Sequence, residues 1–176
     1  VSRGLGDVYK RQLQMSKKKY NLNTIYISER LQENLKPISQ SAFTAVTAPM
    51  GYGKTTAISW YLDKQSKNGN SCVIRISIYS DNLSVFWQSV QKAFAFAGLD
   101  FLDNYVCPSD VASAGMLADE LCYSLSSQIS YYIFIDDFHL LGEPHVADFF
   151  CMLANRLPEN IHLIVSGRNA FLSGKE

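Results

Sequence analysis

The chain has 176 residues, of which 47% are hydrophobic and 18% charged, a composition typical of one globular domain with a sizeable core. Its 16 basic and 16 acidic residues cancel, so the net charge does not indicate a nucleic-acid-binding face. No apolar run approaches the roughly 18 residues that a membrane-spanning helix needs, and the polar, basic N-terminus lacks the apolar segment of a signal peptide. We therefore expect a cytoplasmic protein without a membrane partner.

Three regions are predicted along the chain. The first twelve residues show no amphipathic pattern, and residues 7–12 resemble the translation of a transposon end used in sequencing libraries. Because the chain stops soon after a strand-like run, we also expect the last region to be incomplete. The regions are an adapter-derived or disordered tail over 1–12, a lead-in with a short helix over 13–40, and a nucleotide-binding domain over 41–176.

The first predicted elements lead into the most informative segment. A short helix is predicted over residues 28–35, with Ser28 as its N-cap and Pro37 ending it. An apolar run over residues 42–47 predicts a buried strand. A second helix begins near Lys54. The face of that helix predicted to be buried consists of Ala57, Ile58, Tyr61 and Leu62.

The turn between this strand and this helix matches the phosphate-binding loop of P-loop proteins. Gly51 and Gly53 allow backbone N–H groups to curl around triphosphate oxygens. Lys54 is placed to reach the β- and γ-phosphates as a catalytic cation, and the Thr55 hydroxyl is placed to ligate Mg²⁺. The full pattern has glycine where this chain has Ala48, the smallest substitute. The predicted nucleotide-binding residues are Ala48, Pro49, Met50, Gly51, Tyr52, Gly53, Lys54, Thr55 and Thr56.

Beyond the loop, strand-like and helix-like patterns alternate. The second strand mixes polar and apolar residues, which predicts a less buried position. Strands that alternate with helices predict an α/β fold, a three-layer P-loop NTPase with a mostly parallel sheet. The predicted elements are a strand over 72–78, a helix from Asp81 or Asn82, a helix over 110–128, a strand over 131–135, a helix over 144–157 with Pro144 at its first position, and a strand over 161–165.

Two carboxylates end the apolar strand at residues 131–135. Acids at the carboxyl end of a buried parallel strand lie where open α/β sheets bind ligands. Asp136 is predicted to hold Mg²⁺, directly or through water, and Asp137 to orient or deprotonate the attacking water. The alternative is that Asp136 caps the next turn and Asp137 is merely solvated.

The cysteines and histidines show no metal-ligand spacing. Three cysteines lie in apolar periodic runs, which predicts that they pack in the core. The histidines are predicted to be structural or on the surface. These cysteines are Cys72, Cys122 and Cys151, and the histidines are His139, His145 and His162.

Taken together, these segments resemble the nucleotide-binding domain of STAND-class P-loop ATPases, and most of all the MalT-like, LuxR-type ATP-dependent transcriptional activators. In that group alanine usually replaces the first glycine of the loop, as Ala48 does here. The similarity covers roughly residues 26–168. Besides the loop, it depends on Ser80-Asp81-Asn82, Phe86-Trp87, Asp136-Asp137-Phe138-His139-Leu140, Leu157-Pro158 and Ile161 to Arg168.

The resemblance implies a regulatory switch. The strand that begins at Ile161 would lie between the loop strand and the acidic strand, and would bring Ser166 and Arg168 close to the γ-phosphate, where Arg168 would act as a catalytic sensor. The ATP-bound state would be the active, self-associating one, reset by slow hydrolysis. Partners of the full-length protein would be ATP, further copies of itself, and DNA only through a C-terminal domain outside these residues.

A second class of function stays open at this point. A P-loop small-molecule kinase or another housekeeping NTPase would share the loop and the acidic strand. Such a kinase would need an acceptor pocket and a basic lid, and after Arg75 the only arginines are Arg156 and Arg168. The sequence therefore favours the switch, whose ATPase activity is expected to be weak.

Overall fold

The computed structural model describes residues 26–141 and 144–168, with no account of the side chains of residues 144–148. The tail predicted over 1–12 and the lead-in before residue 26 lie outside the described residues. The helices are α1 (Glu29–Leu35), α2 (Lys54–Ser66), α3 (Leu83–Phe96), α4 (Val111–Ser124) and α5 (Pro144–Arg156), and the strands are β1 (Phe43–Thr47), β2 (Ser71–Ser77), β3 (Ser130–Asp136) and β4 (Ile161–Gly167). Short 3₁₀ turns occupy Lys36–Ser39, Asp100–Leu102 and Phe138–Leu141.

The four strands form one parallel sheet in the order β1-β4-β3-β2. This order confirms the α/β prediction and the placement of β4 between the loop strand and the acidic strand. Because every strand runs the same way, the carboxyl ends of β1, β4 and β3 meet at one edge of the sheet. The loop after β1 and the acids after β3 therefore share that edge.

Helices cover both faces of the sheet, as the alternation of side chains along β3 and β4 requires. Tyr132, Phe134 and Ile164 pack with α1 and α2 on one face. Ile133 and Ile135 point to the opposite face and pack with α3, α4 and α5. The predicted apolar face of α2 is buried in full (Ala57, Ile58, Tyr61 and Leu62).

Helix boundaries follow local capping groups. The Ser28 side chain accepts a hydrogen bond from the Leu31 backbone at the start of α1, as predicted for an N-cap. Asn82 caps α3 in the same way, and Asp110 forms a capping box with Ser113 at the start of α4. These side chains satisfy backbone donors that a helix leaves free at its first turn.

Three predictions about these elements are wrong. The strand β1 is not buried: Ala45 and Thr47 are exposed, because β1 lies at one edge of the described sheet. Helix α4 ends at Ser124, short of residue 128, because Leu125 adopts an extended backbone. Cys122 is exposed and not in the core, because its thiol lies at the end of α5, where it donates to the Arg156 carbonyl at 3.7 Å.

The structure agrees with the predictions for β2 and for Cys72. β2 alternates between buried and exposed residues and lies at the other edge of the sheet, which confirms its predicted partial burial. Cys72 packs against the core from this strand. Among the helices that the structure describes, none combines the length and apolar character needed to cross a bilayer.

Candidate nucleotide-binding site

Two glycines shape the loop between β1 and α2. Gly51 has φ = 83° and Gly53 has φ = 72°, the left-handed region that glycine adopts without strain. An added Cβ at either position would meet no atom within 4 Å. The backbone conformation, and not lack of space, therefore requires glycine here. The Gly53 carbonyl accepts the Ala57 amide at 2.9 Å, so α2 begins immediately after the loop.

Ala48 fits its position without strain. Among the described non-glycine residues, only Asp137 has a positive φ, so the backbone at Ala48 is one that any residue adopts. Its amide donates to the Gly167 carbonyl at 3.3 Å, which fastens the start of the loop to the end of β4. The departure from the full glycine pattern is therefore compatible with the backbone of this loop.

The loop presents donors that the rest of the described chain does not use. Lys54 is half-buried, and its ammonium group makes neither a hydrogen bond nor an ion pair with any residue in ranges 26–141 and 144–168. Met50 and Tyr52 are 66% and 77% exposed. The positive end of α2 adds to the positive potential at this point. Such a loop is suited to an anion, because Lys54 is the first residue of the helix and has no partner among the described residues.

At the same edge of the sheet, one carboxylate oxygen of Asp136 accepts three hydrogen bonds. The Thr55 hydroxyl donates to Asp136 Oδ1 at 3.1 Å, the Ser166 hydroxyl donates to the same oxygen, and the Asp137 amide donates to it at 3.0 Å. Thr55 and Asp136 are 81 residues apart in sequence. The first turn of α2 and the end of β3 therefore form one polar corner.

Strand register explains why these groups meet. Ser166 pairs with Val46 of β1, and Val165 pairs with Ile135 of β3. Ser166 is thus one step beyond the last β3–β4 pair, level with Asp136. It is fully buried, and a buried hydroxyl needs a partner, which Asp136 supplies.

Asp137 has an unusual backbone conformation. It has φ = 57°, a region that costs a non-glycine residue about 1–2 kcal/mol. Its amide donates both to Asp136 and to the Ser166 hydroxyl, the latter at 3.3 Å, and these bonds hold the strained conformation. Its side chain is 46% exposed. Strain of this kind occurs most often at functional sites.

The oxygen atoms of this corner fit a hard divalent cation. A threonine hydroxyl and a carboxylate match the ligands of Mg²⁺, which takes few protein ligands and keeps several waters. No cluster of three or more His, Cys, Asp or Glu side chains able to hold a metal occurs among the described residues; the oxygen donors here belong to one hydroxyl and one carboxylate. Thr55 and Asp136 could therefore hold Mg²⁺, in place of the hydrogen bond that now joins them.

The structure brings most of the predicted site residues together, but not the side chain of Arg168. That residue follows β4 directly, next to the backbone bond between Gly167 and Ala48, and its side chain is exposed. It makes no hydrogen bond or ion pair with the described part of the chain. Its role in sensing a phosphate stays a prediction.

Two of the three histidines can be assessed. His162 is buried, stacks on Tyr132 at 4.9 Å and contacts the Ser41 carbonyl at 2.9 Å, so it is structural as predicted. His139 lies beside the acidic corner, with Nδ1 3.9 Å from Asp137 Oδ1. Sequence reasoning missed that contact, although the spacing of two residues from Asp137 could have indicated it. The side chain of His145 lies outside the described residues.

Comparisons with known proteins agree with this architecture. No protein-family model matches the chain. It is 28% identical over 151 residues to the HTH-type transcriptional regulator MalT of two Klebsiella pneumoniae strains, a match that covers 81% of this chain and 16% of each relative. The crystal structure of Cdc6p from Pyrobaculum aerophilum matches with a TM-score of 0.54 at 17% identity, over 95% of this chain and 41% of that one.

Each of these similarities involves only part of the matched protein. The chain spans about a sixth of the length of the relatives that it matches, so the activity of the whole regulators does not pass to it directly. The match to Cdc6p concerns the fold alone. The chain has the α/β fold of P-loop NTPases and is similar in sequence to one part of a transcriptional regulator.

Proposed function

We propose that the chain is the ATP-binding, slowly hydrolysing switch module of a STAND-class regulator of the LuxR/MalT type. The observation that carries the proposal is the contact at 3.1 Å between Thr55 and Asp136, which joins a glycine-shaped anion loop to an acidic strand end. A turn that served only to reverse the chain would not need an acid from another strand of the sheet beside it.

Each residue has a proposed task. The loop amides and Lys54 bind the phosphates, since Lys54 is free of any described counter-ion. Thr55 and Asp136 hold Mg²⁺, which when bound neutralises charge on the phosphate oxygens. Asp137 orients the attacking water or accepts its proton. Arg168 reports the presence of the γ-phosphate with its forked guanidinium donors.

The regulatory part of the proposal extends to a longer protein. The ATP-bound arrangement favours self-association, and hydrolysis reverses it, because the γ-phosphate stabilises one of two states. DNA is bound by a separate C-terminal domain. The sequence similarity to an HTH-type transcriptional regulator supports this placement in a cytoplasmic protein.

Binding of MgATP tests the proposal. Lys54→Ala should weaken binding by at least about 10- to 100-fold, since a hydrogen bond to a charged group contributes roughly 1.5–3 kcal/mol. Lys64→Ala is the matched control, because Lys64 lies in the last turn of α2, where its ammonium is 5.5 Å from the Trp60 ring. Titration calorimetry with ATP, with and without Mg²⁺, measures both affinities. Equal affinities in the two variants would sink the proposal.

A second measurement separates the switch from a kinase. The chain should release phosphate to water slowly, with ADP as the other product. Phosphate that appears instead on an added small-molecule acceptor, with a burst of ADP, would favour the phosphotransferase class. Addition of GTP as competitor tests the choice of base.

A further inference from the structure

His139 is mostly buried, with 13% of its side chain exposed. Both of its ring nitrogens are buried, and neither has a hydrogen-bond partner in the part of the chain that the structure describes. An uncharged imidazole offers one N–H donor and one acceptor. A buried polar group left unpaired costs about 1–3 kcal/mol, so its position calls for an explanation in function.

The nearest charged group is the carboxylate of Asp137. The distance of 3.9 Å from His139 Nδ1 to Asp137 Oδ1 is longer than a hydrogen bond by about 1 Å. The Asp137 amide is bonded to both Asp136 and Ser166, which restrains the backbone at this residue. Rotation of the Asp137 side chain, which is 46% exposed, would shorten the distance without breaking those bonds.

The histidine is held in place while the aspartate can turn. The 3₁₀ turn Phe138–Leu141 is closed by the Leu140 amide, which donates to the Asp137 carbonyl at 3.0 Å. Within the same turn, the Phe138 ring packs edge-on against Phe150 of α5 at 5.3 Å. The imidazole is 13% exposed, against 46% for the Asp137 side chain. A fixed donor beside a mobile carboxylate is the arrangement of a positioning group.

We infer that His139 is a positioning residue for Asp137. Its Nδ1–H binds one carboxylate oxygen and turns the other toward the space in front of Lys54 and Thr55, where the water would stand. The inference rests on the proposed function, since it assigns a second residue to the hydrolytic step. His139 then acts on the carboxylate directly, whereas Asp136 and Ser166 act on it through the Asp137 amide.

Hydrolysis by three variants tests the role. His139→Leu removes the donor and should lower the single-turnover rate about 10- to 100-fold, with the affinity for MgATP within about twofold of the original. His139→Asn keeps an N–H near the position of Nδ1 and should restore most of the rate. His162→Leu removes the buried histidine four residues before Ser166 and should lower stability but not the rate.

A double-mutant cycle separates positioning from general damage. In an Asp137→Asn background, His139→Leu should cause no further loss, because the carboxylate that it orients is gone. Equal losses in both backgrounds, or a failure of His139→Asn to restore the rate, would overturn the inference. If ATP binding does not depend on Lys54, the proposed function fails first, and the two failures are distinguishable.

A measurement without nucleotide gives an independent readout. The ¹⁵N shifts of the imidazole report which ring nitrogen bears the proton. We expect the Nδ1–H form to dominate in the unmodified chain and to lose that preference in Asp137→Ala. An identical tautomer ratio in the two proteins would contradict the contact, whatever the hydrolysis rates.

Discussion

The phosphate loop and the acidic corner face each other across one sheet edge, yet they are built in opposite ways. The loop is exposed, depends on two left-handed glycines, and leaves Lys54 unpaired within the described residues. The corner is compact, and Asp136 Oδ1 already accepts three hydrogen bonds. Lys54 in the loop therefore has no counter-ion among the described residues, whereas the Oδ1 atom of Asp136 already has hydrogen-bond partners.

Because of this difference, we expect the loop and the corner to respond differently to a ligand. An anion at the loop gains a bond to Lys54 without breaking one, because the Lys54 ammonium has no partner among the described residues. A cation at Asp136 must compete with the Thr55 hydroxyl, so it gains only the difference between two interactions. We expect the loop to set the affinity for nucleotide and the corner to set its metal dependence and the rate of hydrolysis.

Asp137→Asn is expected to have the largest effect. It should slow hydrolysis by about 10²- to 10⁴-fold, the usual loss when a general base is removed, and leave the affinity for MgATP almost unchanged. Single-turnover phosphate release measures the rate. Asp63→Asn is the control, since Asp63 forms an exposed ion pair with Arg75 at 2.6 Å. Unchanged turnover would refute the role of Asp137.

Asp136→Asn should weaken the binding of Mg²⁺ and leave the loop itself unchanged. The amide keeps the size and one acceptor of the carboxylate but loses the charge that attracts a cation. Affinity for ATP in Mg²⁺ should fall about 10- to 100-fold and become nearly independent of the metal. Calorimetric titrations at several Mg²⁺ concentrations measure this, and a retained metal dependence would contradict the division between loop and corner.

Gly53→Ala tests whether the loop depends on its backbone shape. Alanine in the left-handed region should lower the free energy of unfolding by about 1–2 kcal/mol, and the strain should also weaken ATP binding. Gly69→Ala is the matched control, because Gly69 has φ = 82° and lies in the turn between α2 and β2. Both variants should lose stability, but only Gly53→Ala should lose affinity. Equal affinities would show that the loop tolerates distortion.

Arg168→Ala is expected to have the smallest effect. If the guanidinium meets only the γ-phosphate, the preference for ATP over ADP should fall about 3- to 10-fold, with the affinity for ADP unchanged. Competition titrations with the two nucleotides measure this ratio. Parallel losses for ATP and ADP would instead indicate a general electrostatic contribution.

Local sequence patterns were enough to predict much of the secondary structure and the phosphate-binding motif. The spacing of Ala57, Ile58, Tyr61 and Leu62 predicted the buried face of α2, since a helix places residues three and four apart on one side. The phosphate-binding motif at residues 48–56 and the two acids at the end of β3 could also be recognised from the local sequence. Glycine, lysine and threonine at fixed spacing perform a task set by backbone geometry within a few residues.

Contacts between distant segments decided the rest. Whether β1 is buried depends on which strands flank it, and whether Cys122 faces the core depends on how α4 is rotated against its neighbours. The left-handed backbone of Asp137 and its approach to His139 depend on Ser166, 29 residues further along. Periodicity within one segment predicts secondary structure, but the packing of separate segments sets the environment of each side chain.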